Sequence, residues 1–156
     1  YDTFSGMDDF PLDYYSQEDV SFRGEKASDA FNSKERLEYW SIPLEEVRKN
    51  VLRTGYPEEK LHFVKGKVEE TIPGIAPEEI AFLRLDTDFY ESTLHEMVHL
   101  FPRLSVGGVL LVDDYGHWRG ARKAVDEYLR ENHISMLLNR IDYTGCMGIK
   151  SAWILL

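Results

Sequence analysis

Cysteine, long apolar runs and positive charge are all scarce in this chain of 156 residues. The single cysteine, Cys146, excludes an internal disulfide and is typical of a reducing compartment, so we expect a cytoplasmic protein. No apolar run approaches the ~18 residues that a membrane-spanning helix needs, and we expect no membrane partner.

The charge balance excludes another class of partner. Lysine and arginine number 18 and aspartate and glutamate 28, which leaves a net charge of −10. Such a surface argues against a general nucleic-acid binder, although a small basic pocket stays compatible with it. The length fits one domain over residues 1–156, and a hydrophobic content of 43% suffices for a core.

The stretch from Ile80 to Tyr115 organises the chain. Ile80–Leu85 and Val109–Val112 are short apolar runs typical of buried strands. The segment between them has apolar residues at helical spacing, and Ser105–Gly108 reads as a stop and turn. We therefore predict a βαβ unit with two parallel, adjacent strands.

Acidic residues follow both predicted strands: Asp86 and Asp88 after the first, Asp113 and Asp114 after the second. Parallel strands bring these carboxylates to one edge of the sheet, where open α/β sheets bind ligands. Crowded carboxylates need protonation or a cation, and Mg²⁺ is the simplest candidate. The alternative is that each Asp only caps a helix or forms a turn.

The flanking segments complete an α/β pattern. We predict helices at 41–53 and 120–131, and strands at 61–64, 136–141 and 149–156, the last two as an antiparallel pair. Residues 8–34 are irregular, acidic and aromatic, which predicts either a lid or a poorly ordered segment. Asp2, near a strand end, is either a ribose ligand or a turn residue.

Four motifs are similar to those of one family. They are DTFSGM at 2–7, Gly66 with EETIP at 69–73, LRLDTDFYEST at 83–93, and LSVGG at 104–108 followed by VDDYG at 112–116. Together they resemble the macrocin O-methyltransferase (TylF-like) family, whose members methylate sugar hydroxyls of antibiotics with S-adenosylmethionine.

The resemblance implies a three-layer Rossmann-like methyltransferase sheet, mostly parallel, with an antiparallel final strand pair. It implies Mg²⁺ on Asp86, Asp113 and Asp114, with Asp88 as the general base. His117 is either a second base or substrate contact, or a packing residue. The cofactor contacts implied are Asp2, Ser5 and Gly66.

The resemblance also implies a glycine-rich loop and a central strand N-terminal to Tyr1. We therefore expect a longer natural protein, or another chain that fills the gap, and a homo-oligomer. The expected acceptor is a glycosylated natural product. Two alternatives stay open: a truncated, non-catalytic metal-binding or oligomerisation module, and a Mg²⁺-dependent phosphatase, which Phe89 and Tyr90 after Asp88 disfavour.

Overall fold

The computed structural model of the chain describes residues 1–6, 14–31 and 41–152. Short 3₁₀ helices occupy Glu58–Lys60 and Phe101–Arg103. The α-helices are α1 (Ala27–Ala30), α2 (Leu44–Leu52), α3 (Val68–Thr71), α4 (Tyr90–Leu100) and α5 (Arg119–Glu131). The strands are β1 (Ile80–Leu85), β2 (Leu104–Val112), β3 (Asn139–Arg140) and β4 (Cys146–Ile149).

The described strands form one mixed sheet in the order β1-β2-β4-β3, which confirms the α/β class. β1 and β2 are parallel, with Leu85 opposite Val112, and α4 is the crossover between them. The two remaining pairs, β2 with β4 and β3 with β4, are antiparallel. The antiparallel pairing of β3 with β4 is the one predicted for the last two strands. The predicted βαβ unit is therefore present.

β2 begins earlier than predicted, because the expected turn at 105–108 is the irregular first part of the strand. Gly107 has a φ of 85°, and the register against β1 shifts between Ile80 and Phe82. A glycine tolerates that backbone conformation at little cost. The chain bends there without leaving the sheet.

Three predicted strands differ from the structure. Residues 61–64 form no strand, and only Lys65 pairs with Asp2 in an isolated parallel bridge. Within 136–141, only Asn139 and Arg140 pair with β4. The last strand is Cys146–Ile149 rather than 149–156, and residues 153–156 lie outside the described residues. Apolar side chains alone did not define these strands, because a strand also needs a neighbour with which to pair.

α2 begins at Leu44 after Pro43, three residues later than predicted from Ser41, and its cap has no side-chain hydrogen bond. α5 matches its predicted range to within one residue. Among the residues that the structure describes, no helix is both long and apolar enough to cross a membrane.

The main core lies between one face of the sheet and the helices α4 and α5. Its fully buried side chains include Leu85, Met97, Leu110 and Val125, each at most 1% exposed. Burying one such side chain contributes roughly 1.5–3 kcal/mol. This packing fixes the carboxyl ends of β1 and β2 relative to each other.

Both ends of α4 are held by residues distant in sequence. At its start, Asp19 is 1% exposed, and its Oδ1 accepts a hydrogen bond from the Tyr90 N–H at 2.8 Å. At its end, the buried Lys150 Nζ donates to the carbonyls of Phe101 and Leu104, at 3.0 and 2.6 Å. A negative group at the N-terminus and a positive group near the C-terminus both complement the helix dipole.

Candidate active site

The carboxyl ends of β1 and β2 bring three predicted residues together. The Asp113 N–H donates to the Leu85 carbonyl at 2.9 Å, so the two strand ends are in register. Carboxylate oxygens of Asp86, Asp113 and Asp114 all lie within 4.8 Å of one another. The sequence prediction that these acids meet at one edge is therefore confirmed as geometry.

Arg84 bridges two of these acids, and the sequence analysis missed it. Its Nη1 lies 2.9 Å from Asp86 Oδ2, and its Nη2 lies 2.9 Å from Asp113 Oδ2. Residues two apart on a strand share a face, so the Arg84-x-Asp86 spacing was the available signal. The guanidinium offsets part of the negative charge of the cluster.

The remaining charge is visible in the acids' pKa values. Loss of solvent, then a hydrogen bond with Asp113, raises the pKa of Asp86 to about 7, although Arg84 opposes the shift. Burial, followed by the charge of Asp114 and a hydrogen bond with it, raises the pKa of Asp88 well above its usual range. The cluster is therefore strained by like charges, a condition that a bound cation relieves.

The donor set fits a hard divalent cation. Asp86, Asp113 and Asp114 each offer one carboxylate oxygen, the ligand type that Mg²⁺ and Ca²⁺ prefer. Mg²⁺ commonly binds through few protein carboxylates and keeps several waters, which suits an open cluster. Two of the three ligands would have to share their oxygens with Arg84 or release it.

Asp88 follows Asp86 by two residues. It lies on the wall of a cavity of about 1410 Å³ that the cluster also lines. The next residue, Phe89, is 3% exposed and packs in an aromatic cluster with Tyr15, Phe31 and Trp118. Asp88 therefore lies beside carboxylates, directly before a residue that is buried in an apolar cluster. Such surroundings favour a carboxylate that binds a proton readily.

The predicted cofactor residues fall into two groups. Asp2 and Gly66 line the cavity and are joined by the bridge, in which the Gly66 N–H donates to the Asp2 carbonyl at 3.0 Å. Asp2 Oδ1 accepts from the Phe4 N–H at 2.6 Å, which is also the geometry of a turn residue. Ser5 is half-buried but does not line this cavity. Their roles stay predictions.

A buried network behind the acids was also missed. The Thr87 hydroxyl donates to Glu96 Oε2 at 2.6 Å, and the Thr93 hydroxyl donates to the Thr87 carbonyl at 2.6 Å. Burial raises the pKa of Glu96 to about 7, although the Thr87 hydrogen bond opposes the shift. The network fixes the turn between Asp86 and Asp88.

Part of the predicted lid is ordered against the site. Tyr14, Tyr15 and Phe31 pack on Phe89 or Trp118, with ring centroids 5.0–6.1 Å apart. Residues 8–13 and 32–34 of the predicted lid lie outside the described residues. His117 lines the cavity. The described lid residues therefore form one wall of the candidate site.

Comparison with known proteins places this site in a family. The family model described as Macrocin-O-methyltransferase (TylF) matches residues 3–149. The chain therefore belongs to the macrocin O-methyltransferase family, as the resemblance implied.

Curated relatives named as O-methyltransferases match about two thirds of the chain. A tetracenomycin-C 4'-O-methyltransferase from Streptomyces olivaceus, whose name specifies a dimethoxy-α-L-rhamnosyl substrate, is 40% identical over 67% of this chain and 40% of its own length. The mycinamicin III 3''-O-methyltransferase of Micromonospora griseorubida is 36% identical over 68% of this chain and 41% of its own.

A solved structure confirms the fold. The O-methyltransferase NovP has a TM-score of 0.80 and 30% sequence identity, over 96% of this chain and 58% of NovP. The chain thus spans about two fifths of the curated relatives and under two thirds of this structure.

Proposed function

We propose that the protein is an S-adenosylmethionine- and Mg²⁺-dependent O-methyltransferase that acts on a sugar hydroxyl of a glycosylated natural product. The observation that carries the proposal is the juxtaposition of the Asp86, Asp113 and Asp114 carboxylates with Asp88 on one cavity wall. The family and the named activities of the relatives support the reaction class.

Each acid has a separate task in this proposal. Asp86, Asp113 and Asp114 would hold the divalent cation, which supplies Lewis acidity and orientation for a hydroxyl that is a poor nucleophile at neutral pH. Asp88 lies beside them and takes the hydroxyl proton on a carboxylate oxygen. A cation on the three ligands would relieve the like-charge repulsion that helps to raise the pKa of Asp88, so Asp88 would be ionised and able to accept that proton.

S-Adenosylmethionine, when bound, supplies the electrophilic methyl group. We propose that Asp2 and Gly66, which line the cavity, contact this cofactor. Gly66 has a φ of 141°, and a Cβ there would lie 2.9 Å from Thr71 Cγ2. The wall therefore requires a glycine at this position. Positioning of acceptor and donor supplies much of the rate enhancement in such reactions.

The direct test is replacement of the proposed base. Asp88→Asn keeps the shape of the side chain and removes its ability to accept a proton. We expect kcat for methyl transfer to fall by about 10²–10⁴-fold, with S-adenosylhomocysteine affinity within twofold of wild type. The exposed Asp29→Asn serves as the matched control. Wild-type turnover in Asp88→Asn would remove Asp88 from the mechanism.

A further inference from the structure

Three aromatic rings meet at the mouth of the cavity, and we call them the aromatic rim: Phe22, His117 and Tyr143. Phe22 lies 5.4 Å from Tyr143 and 5.9 Å from His117 between ring centroids, and His117 lies 6.2 Å from Tyr143. His117 and Tyr143 line the cavity that the four acids share. The rim therefore continues directly from the proposed reaction site.

The loop that carries Tyr143 is rigid. Asp142 Oδ1 accepts hydrogen bonds from the Thr144 and Gly145 N–H groups at 2.9 and 2.7 Å. Arg140 donates to the Asp142 and Tyr143 carbonyls at 2.6 and 3.0 Å. Tyr143 is thus presented on an ordered turn although its side chain is exposed.

Backbone contacts join the three loops of the rim. The Phe22 N–H donates to the His117 carbonyl at 2.9 Å, and the Gly116 N–H donates to the Thr144 carbonyl at 2.7 Å. A Cβ at Gly116 would lie 3.0 Å from that same carbonyl, so a larger residue would push the two loops apart by a few tenths of an ångström. The His117 N–H donates to the Asp114 carbonyl at 3.0 Å, which ties the rim to the acid cluster.

Two of the three side chains of the rim are exposed in the part of the chain that the structure describes. Phe22 is 43% and Tyr143 is 49% exposed, although both side chains are large and apolar enough to favour burial. The third ring, that of His117, contacts both of them and lines the cavity, so the two exposed rings form one surface that extends from it.

We propose that the aromatic rim is a subsite for the planar, ring-containing aglycone of a glycosylated acceptor. This inference rests on the proposed function: a sugar hydroxyl held at Asp88 leaves the remainder of the acceptor at the cavity mouth. There the exposed rings of Phe22 and Tyr143 pack against the ring system, beside the His117 ring that lines the cavity. The rim selects acceptors by their aglycone, whereas the acids select the reacting hydroxyl.

The test compares three probes that separate the two parts of an acceptor. They are 4-methylumbelliferyl α-L-rhamnoside, which carries a planar aglycone, methyl α-L-rhamnoside, which has none, and free 4-methylumbelliferone. Each is titrated by ligand-observed NMR into the wild type, the Phe22→Ala/Tyr143→Ala double variant and the control Tyr56→Ala. Tyr56 is 55% exposed and does not line the cavity.

We expect the wild type and Tyr56→Ala to bind the aryl rhamnoside about tenfold more tightly than the methyl rhamnoside. The double variant should lose that preference and its affinity for free 4-methylumbelliferone, with an unchanged melting temperature. Persistence of the preference in the double variant, or its absence from the wild type, would overturn the subsite.

A second measurement distinguishes failure of the proposed function from failure of the subsite. S-Adenosylmethionine is added with either rhamnoside, and methyl transfer is followed by mass spectrometry. Absence of transfer, with 4-methylumbelliferone binding still lost only in the double variant, would retain the subsite and count against the methyltransferase proposal. Methyl transfer with equal 4-methylumbelliferone binding by all three proteins would support the methyltransferase proposal and overturn the subsite.

Discussion

At the residue scale, Arg84 sets the charge of the acid cluster. Its two terminal nitrogens contact the Asp86 and Asp113 oxygens that a cation would also use. The ion pairs are about half exposed, so their own contribution to stability is small. Their main effect is on how strongly the cluster attracts a second cation.

Arg84 and a bound Mg²⁺ would compete for the same carboxylate oxygens, so replacing Arg84 should reveal that competition. We expect Arg84→Gln to bind Mg²⁺ about 3–10-fold more tightly, because two carboxylates lose their internal counter-ion. Its melting temperature without Mg²⁺ should fall below that of the wild type. Calorimetric titration and thermal unfolding measure the two effects. The control is Arg122→Gln, which removes an exposed arginine paired with Asp126 on α5. Equal Mg²⁺ affinity in Arg84→Gln and the wild type would contradict the competition.

Glu96 makes the free energy of unfolding depend on pH. Its pKa rises from 4.5 to about 7 on folding. Between these values the folded protein keeps a proton that the unfolded chain has lost, so the free energy of unfolding falls as pH rises from about 4.5 to about 7. Above that range the buried carboxylate costs stability.

We expect Glu96→Gln to raise the free energy of unfolding at pH 8 by about 1–3 kcal/mol and to change it little at pH 4.5. The amide oxygen can still accept the Thr87 hydrogen bond. Urea unfolding at the two pH values measures the difference. Glu91→Gln, which alters an exposed glutamate on the same helix, is the control. An equal change in the free energy of unfolding at both pH values would show that folding does not shift the pKa of Glu96.

At the scale of elements, α4 depends on contacts distant in sequence. No side chain next to its N-terminus provides a cap, and Asp19 supplies the acceptor instead. The same carboxylate accepts from the Ser16 N–H at 2.7 Å through Oδ2. A Cβ at Gly120 would lie only 1.9 Å from Asp19 Oδ1, so the start of α5 also closes around it. Asp19 thus joins the lid residues to both helices that flank the acids.

Asp19→Ala should lower the free energy of unfolding by about 1–2 kcal/mol, because the Tyr90 and Ser16 N–H groups lose their acceptor. Asp19→Asn, which keeps an acceptor oxygen, should recover part of that loss. Chemical denaturation measures both, with the exposed Asp29→Ala as the control. A loss in Asp29→Ala as large as that in Asp19→Ala would argue against the capping role.

The elements also show what sequence could predict. Strand-end acids such as Asp86 and Asp113 were found because parallel strands end at one edge, whatever the rest of the chain does. Asp19 and Lys150 were missed, since their partners at the start of α4 and just beyond its end are 71 and 46–49 residues away. Residues 61–64 were assigned wrongly because apolar content does not specify a pairing partner.

At the scale of the whole molecule, the acids, the lid wall and two residues of the aromatic rim, His117 and Tyr143, line a single cavity. The family match spans residues 3–149. The chain covers 58% of NovP. Ligand binding by this chain is therefore the first property to measure, and methyl transfer is the second.

The most direct measurement is calorimetric titration of Mg²⁺ into the wild type and Asp113→Asn, each with and without S-adenosylhomocysteine. We predict a single Mg²⁺ site in the wild type, weakened about tenfold or more in Asp113→Asn and unchanged in Asp29→Asn. Equal Mg²⁺ binding by the wild type and Asp113→Asn, or none by the wild type, would contradict a metal-dependent reaction at this cluster.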